Sequence, residues 1–263
     1  MSGTSDAVKI IGYLGSIENT MIIATTTTSY GAGLASDAGA DEVLVGGLGV
    51  DAMVDVIHQK QVDLLVDATH PFASQATSTA IEAAKTAEID YIRFERPAIP
   101  QKAIKKLHVV NDFKEASQKA IELVKKTKNG RVMHLAGVST LPKVLENVLP
   151  QNLIVRVLPA VYSIKKCLEL GIPSENIVAM QGTFSSDFNR ALMAEFNVDV
   201  IITKESGESG GTLSKLDAAS QLEIPVVMVK RPEISELEKS RVYSDIDDLI
   251  MAVKKLKTDM ALN

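Results

Sequence analysis

Short β-branched runs alternate with helix-patterned stretches along almost the whole chain, and this alternation restricts the fold more than any other property. The runs are Met21–Thr26, Glu42–Val45, Val62–Val66, Asp90–Phe94, Val132–Leu135, Leu153–Leu158, Ile177–Met180, Val200–Thr203 and Val226–Val229. Helical patterns lie between most of them, among them Ser74–Ala87, Phe113–Lys126, Ile164–Leu170, Phe184–Phe196 and Leu213–Gln221. A strand that passes through a helix to the next strand closes as a right-handed parallel unit, so the expected class is α/β with doubly wound parallel sheets. Aromatic residues are 4% of the chain and Trp is absent. The cores must therefore be built from Val, Ile, Leu and Ala, which suits parallel sheets covered by helices. So many strands in 263 residues are accommodated more economically in two lobes than in one sheet. The polar run Lys125–Gly130 marks the expected boundary, with one lobe over residues 1–128 and a second over 129–263. A closing amphipathic helix over Asp245–Lys257 is counted with the second lobe, although its pattern would let it pack on either.

A formal net charge of −5 argues against a general nucleic-acid or anionic-membrane binder, while leaving room for a local basic pocket. One cysteine, Cys167, permits neither a disulfide framework nor a cysteine-rich metal site and fits a reducing compartment. It reads as a buried bystander. The N-terminus lacks a basic-then-apolar signal pattern and no apolar run approaches a membrane span, so a soluble cytoplasmic protein is expected. His58, His108 and His134 stand without metal-ligand spacing, and no metal site is expected.

The chemistry concentrates in a few strand ends. Asp67-Ala68-Thr69-His70-Pro71-Phe72-Ala73 leaves the Val62–Val66 run and enters a helix. It packs an acid, a hydroxyl and an imidazole into one turn that Pro71 stiffens. Strand ends of this kind are where ligands bind in open α/β sheets. The bland alternative, equally weighted on the turn alone, is that Asp67 and Thr69 cap the next helix and His70 pairs with backbone. Thr25–Gly33, rich in Thr and Gly, would let a ligand approach the backbone, but by itself it reads better as a Thr-rich strand end with a glycine turn, and no complete G-x-G-x-x-G is present. Ser2-Gly3-Thr4-Ser5-Asp6 resembles a phosphate-binding turn opening a helix, with Ser5 or Asp6 as cap. It has no strand ahead of it, and on spacing alone Met1–Thr4 reads as a frayed end. Thr203–Thr212, with Lys204 at its start and Gly207, Gly210 and Gly211 within it, is a credible anion nest but not a Walker loop. Arg93-Phe94-Glu95-Arg96-Pro97 and Lys230-Arg231-Pro232 end strands with cations suited to carboxylate or phosphate, although singly each such run is usually plain surface. Tyr162 and Lys166 have the Tyr-x-x-x-Lys spacing of short-chain dehydrogenases, but without a glycine fingerprint the run Val161–Leu170 reads as an ordinary amphipathic helix.

Taken together these segments resemble the precorrin-6A reductase family of corrin-ring biosynthesis, including its cobalt-precorrin-6A branch. The resemblance rests on Thr28–Ala32, Asp67–Ala73, Tyr91–Pro97, Arg156–Pro159, Ala179–Gly182 with Phe184 and Asn189-Arg190, and Thr203–Gly207 with Gly210-Gly211 and Lys215. It implies two Rossmann-like lobes with an interlobe cleft, the first lobe binding NADPH or NADH. It also implies hydride transfer to a double bond of a tetrapyrrole macrocycle. By the same resemblance Gly3, Thr4, Ser5, Ser29, Tyr30, Gly31, Ala32 and Pro71 are expected at the dinucleotide, and His70, Thr69 and Asp67 at the reacting centre. Arg93, Arg96, Lys204, Ser206, Gly207 and Lys215 are expected to face the substrate. Family members usually begin with an apolar strand ending in Gly-Gly-Thr, whereas Ser2-Gly3-Thr4 stands at the start here. The first lobe is thus expected to lack its first strand, which a start codon chosen too late would explain. The rival readings are a two-lobed tetrapyrrole-binding protein and a synthase-like enzyme without nicotinamide chemistry.

Overall fold

The computed structural model describes residues 1–99, 106–125, 127, 130–208, 210–239 and 241–261. The chain forms two compact units, residues 1–97 with 232–263, and residues 98–231.

In the first unit, β1 (Ile23–Thr26) pairs in parallel with β2 (Glu42–Val45). A second sheet orders β3 (Leu64–Asp67) beside β4 (Asp90–Phe94) and β4 beside β11 (Arg241–Tyr243), again all parallel. The core joins Ala7, Ile10, Ile11 and Leu14 of α1 (Ser5–Leu14) to Ala24, Ile92 and Phe94 of the strands. Leu249, Ile250 and Val253 of α10 (Ile246–Ala261) complete it. On the other side α3 (Val50–Gln59) lies against α4 (Ser74–Thr86) through Met53, Ile57, Ala80 and Ala83. The alanines allow the close approach of helix to helix.

Met1–Thr4 is not a frayed end. The Met1 amine donates to Val66 O at 2.7 Å, Ala68 N donates to Met1 O at 3.2 Å, and Ser2 N donates to Thr25 O at 2.9 Å. These two residues thereby fasten β3 to β1 at their carboxyl ends. Behind them Ile22–Thr25 and Leu64–Val66 line an apolar groove of about 380 Å³.

The second unit is one six-stranded parallel sheet in the order β5-β10-β9-β6-β7-β8. Its strands are β5 (Leu107–Val110), β6 (Val132–His134), β7 (Leu153–Val157), β8 (Ile177–Ala179), β9 (Val200–Lys204) and β10 (Val226–Val229). Val200–Ile202 and Val226–Val229 are buried without interruption, the pattern of central parallel strands covered on both faces. Each such Val or Ile contributes roughly 1.5–3 kcal/mol on burial. The helices are α5 (Phe113–Val124), α6 (Leu141–Val144), α7 (Val161–Glu169), α8 (Ser186–Glu195) and α9 (Thr212–Gln221). Cys167 of α7 is buried, and burial pushes its thiol above the usual value.

Parallel α/β architecture is therefore as expected, but its division is not. The boundary expected after residue 128 falls at positions outside the described residues. On either side of it α5 and β6 belong to the same unit, because β6 joins β9 in the sheet that β10 shares with β5. The chain crosses between units at Pro97–Ala98 and again at Arg231–Pro232. The closing helix α10 packs with α1 in the first unit, not in the second. No helix among the described residues is long and apolar enough to cross a membrane.

Candidate functional site

Ligand-facing backbone gathers at the carboxyl ends of β1 and β3. The N-cap of α1 is Thr4, not Ser5 or Asp6: its hydroxyl accepts from Ala7 N at 3.0 Å and donates to Ala68 O at 2.9 Å. One side chain thus caps a helix and anchors it to the turn after β3. Asp6 instead pairs with Arg96, its Oδ2 2.6 Å from Arg96 Nη2, both nearly buried. Arg96 therefore pins the first turn of α1 to the segment after β4. Thr28 caps α2 (Ser29–Asp37), accepting from Gly31 N at 3.1 Å. A Cβ at Gly31 would sit 2.4 Å from Thr26 Oγ1, so only glycine lets α2 start against β1. Gly46 N donates to Thr26 O, which holds the loop after β2 at the same edge. Thr4, Ser29, Tyr30, Gly31 and Ala32 consequently lie at two helix N-termini beside the carboxyl ends of β1 and β3, the arrangement that suits an anion. Gly3 and Ser5 flank Thr4 there.

The turn after β3 does not cap α4, whose N-cap is Ala73 without a side-chain bond. Asp67 turns inward and is fully buried. Its Oδ1 accepts from Thr69 N at 2.9 Å and lies 2.8 Å from Arg93 Nη1, while Oδ2 accepts from Tyr91 Oη at 3.0 Å. Arg93 Nη1 also donates to Thr69 Oγ1 at 2.9 Å. Burial would raise the Asp67 carboxyl, but the Arg93 guanidinium and the Thr69 bonds prevail and hold it below the usual value. Burial and then Asp67 push the Tyr91 hydroxyl well up. Removing one partner from a buried pair of this kind costs about 3–5 kcal/mol, because the other charge is stranded. Asp67 and Arg93 thus brace the turn from within. The placement of Arg93 corrects its expected contact with substrate, since its guanidinium is committed to Asp67 and Thr69. Within the braced turn Thr69 and Pro71 are buried and His70 is half-buried. His70 Nδ1 accepts from Phe72 N at 3.1 Å, which leaves the proton of a neutral imidazole on Nε2.

At the carboxyl edge of the second unit, Lys204 ends β9 and the loop after it folds back onto α9. Ser206 N donates to Thr212 Oγ1 at 3.1 Å, and Gly207 N donates to Glu205 Oε1 at 3.0 Å. A Cβ at Gly210 would meet Ser206 Cβ at 2.3 Å, so the loop closes only on glycine. Ser209, part of the expected nest, lies outside the described residues. Ser206 is buried. Glu205 Oε1 also accepts from Ile99 N at 3.4 Å, and its other oxygen pairs with Arg231. Arg231, read from sequence as a strand-end cation for a ligand, is a structural partner instead. Burial pushes Lys204 down to about 8. Burial, reinforced by Arg156 and Lys204, pushes Lys215 down to about 7. Arg156 carried no role in the sequence reading beyond the family likeness. Its one available signal was a cation inside the apolar strand Leu153–Val157.

The family model described as "Precorrin-6x reductase CbiJ/CobK" matches residues 1–254. The chain belongs to the precorrin-6x reductase family. Among relatives of this reductase family, the cobalt-precorrin-6A reductase of Methanothermobacter thermautotrophicus is 45% identical over 262 residues, covering 99% of this chain and 84% of the relative. That of Methanocaldococcus jannaschii is 39% identical over 259 residues, covering 98% of both. A solved structure, CobK precorrin-6A reductase, superposes with a TM-score of 0.73 at 19% identity, covering 97% of this chain and 94% of that one. At that identity the match speaks for the fold, and it agrees with the parallel α/β architecture. The chain is accordingly placed among oxidoreductases of cobalamin biosynthesis.

Proposed function

We propose that this reductase transfers a hydride from NADPH or NADH to a macrocycle double bond of cobalt-precorrin-6A. The observation that carries the reading is the pair of helix N-termini, capped by Thr4 and Thr28, with Gly31 letting α2 start against β1, beside the braced Thr69–His70–Pro71 turn. Those residues fit a dinucleotide: amides at two helix starts suit phosphates, and glycine permits close backbone approach. Thr4, Ser29, Tyr30, Gly31 and Ala32, flanked by Gly3 and Ser5, would hold it. When bound, a reduced nicotinamide supplies the hydride, and the macrocycle delocalises the electrons it receives. The chain's own work is positioning. Arg93 and Asp67 fix the turn, Thr69 and Pro71 wall the pocket, and His70 holds a proton on Nε2 beside it. On the second unit, Lys204 and Lys215 would receive an acidic group of the substrate.

The test is anaerobic oxidation of NADH and of NADPH followed by absorbance, with and without cobalt-precorrin-6A. Oxidation that requires the substrate supports the reading and ranks the two nucleotides. Tight binding of the substrate with neither nucleotide oxidised would favour a tetrapyrrole-binding or synthase-like protein instead.

A further inference from the structure

The second unit holds two cations turned toward uncharged partners, Lys215, which is buried, and Arg156, which is half-buried. Lys215 lies in the first turn of α9, 7% exposed, and its Nζ donates to Gly210 O at 3.3 Å. Arg156, on β7, donates from Nη1 to Asn189 Oδ1 at 2.8 Å, and its guanidinium stacks over the Phe184 ring at 5.2 Å. Among the described residues neither of these two cations is in an ion pair; the hydrogen bonds they make are to uncharged groups. Asn189 links their positions: it accepts from Arg156 through Oδ1 and donates from Nδ2 to Ser214 Oγ at 3.4 Å, one residue before Lys215, and the Arg156 and Lys204 charges both disfavour the Lys215 ammonium. Buried charges in proteins are ordinarily paired, and like charges brought together out of water are unfavourable until an anion joins them. An arginine whose plane is fixed by an aromatic ring presents a fork matched to a carboxylate. The surroundings have the second property a carboxylated macrocycle needs. Phe184 stacks on Phe188 with centroids 4.7 Å apart. Leu158, Val161 and Tyr162, which follow Arg156 off the end of β7, are exposed apolar side chains.

We propose that Arg156, Lys204 and Lys215 form one subsite for a single substrate carboxylate, bordered by the Phe184 ring and the apolar end of β7. The proposal rests on the macrocycle reading and adds Arg156 as the residue that fixes the carboxylate's orientation.

The experiment uses the full chain and uroporphyrin, a stable polycarboxylate tetrapyrrole, with affinity read from fluorescence quenching. Tricarballylate serves as a small competitor and as a shield of Lys215 against acetic anhydride, read by mass spectrometry. Arg156→Gln and Lys215→Gln are each expected to weaken uroporphyrin binding about tenfold or more, and the double variant by less than the product, since both hold one carboxylate. Lys215→Arg is expected to keep affinity, which separates lost charge from lost packing, with melting temperature as the control on folding. Tricarballylate is expected to protect Lys215. Affinities of the two Gln variants within twofold of the parent, or no protection of Lys215, would overturn the subsite. Assaying nucleotide oxidation on the same preparations keeps the two ideas apart. Binding through these residues without any turnover retains the subsite and removes the reductase reading. An active parent whose KM is unmoved by both Gln variants does the reverse.

Discussion

At the scale of single residues, the decisive property is which way a polar side chain turns. Asp67, Thr69 and His70 are adjacent in sequence, yet Asp67 is wholly internal while His70 is partly exposed. The motif was legible, but the division of labour within it was not. It depends on Arg93 and Tyr91, which arrive from the neighbouring strand through the register Asp67↔Arg93 and Leu65↔Tyr91. His70→Ala deletes one acceptor for the Phe72 amide, about 1 kcal/mol of stability. If the imidazole borders the reacting centre, turnover should fall at least about tenfold with the melting temperature lowered only a few degrees; unchanged turnover removes His70 from the site. His134 gives a pH prediction. It is fully buried, and burial, with help from Lys204, lowers it to about 4. The unfolded chain therefore takes up this proton near pH 6.5 while the folded chain resists until about 4. Stability from this residue is complete above the unfolded value and is lost as pH falls through that window, by roughly 3 kcal/mol. Urea unfolding at a series of pH values should show the slope, and His134→Asn should flatten it.

At the scale of elements, the long apolar strands and the amphipathic helices were readable because periodicity is local. β5 and β11 were not: each joins the edge of its sheet through one partner, β10 and β4, and neither is framed by the strand–helix alternation that marked the edge strand β8. Their pairing is decided by the partner and not by their own composition. Helix α2 was only half legible: its Thr-rich, glycine-rich start read as a possible ligand loop, while the reason for Gly31 lies in Thr26 on the preceding strand. Gly31→Ala should displace the start of α2, costing about 1–3 kcal/mol by overpacking, and should weaken nucleotide binding more than it weakens the fold. Adding Thr26→Ala removes the hydroxyl that the new methyl would strike and should restore most of both. Calorimetric titration with NADPH and NADH beside thermal melts would check the pair; no rescue would mean that Gly31 matters for another reason.

At the scale of the whole molecule, the expected boundary failed for a physical reason. Charge runs mark solvated helix ends as readily as domain limits, and Lys125 simply follows α5. The true division rests on long-range pairing of β11 with β4 and on the seating of α10 against α1, neither of which leaves a local pattern. Because the two units have separate cores, damage to one should stay there. Leu249→Ala, at a fully buried position of α10, should destabilise the first unit by about 2–5 kcal/mol. Hydrogen exchange should then quicken at amides of α1 and β4 while those of β9 and β10 keep their protection; equal loss in both units would mean that they unfold as one.

The discontinuity of the first unit also has a consequence for how the protein is made. A ribosome releases residues 98–231 as an uninterrupted stretch, and every strand of the six-stranded sheet is then in hand. The first unit, although its N-terminal segment is made earlier, still lacks β11 and the three α10 side chains that fill its core. Domains fold as their segments emerge, so the order of completion is the reverse of the order of synthesis: residues 1–97 must wait, with Ile10, Ile11 and Phe94 not yet covered by α10, until β11 and α10 leave the exit tunnel.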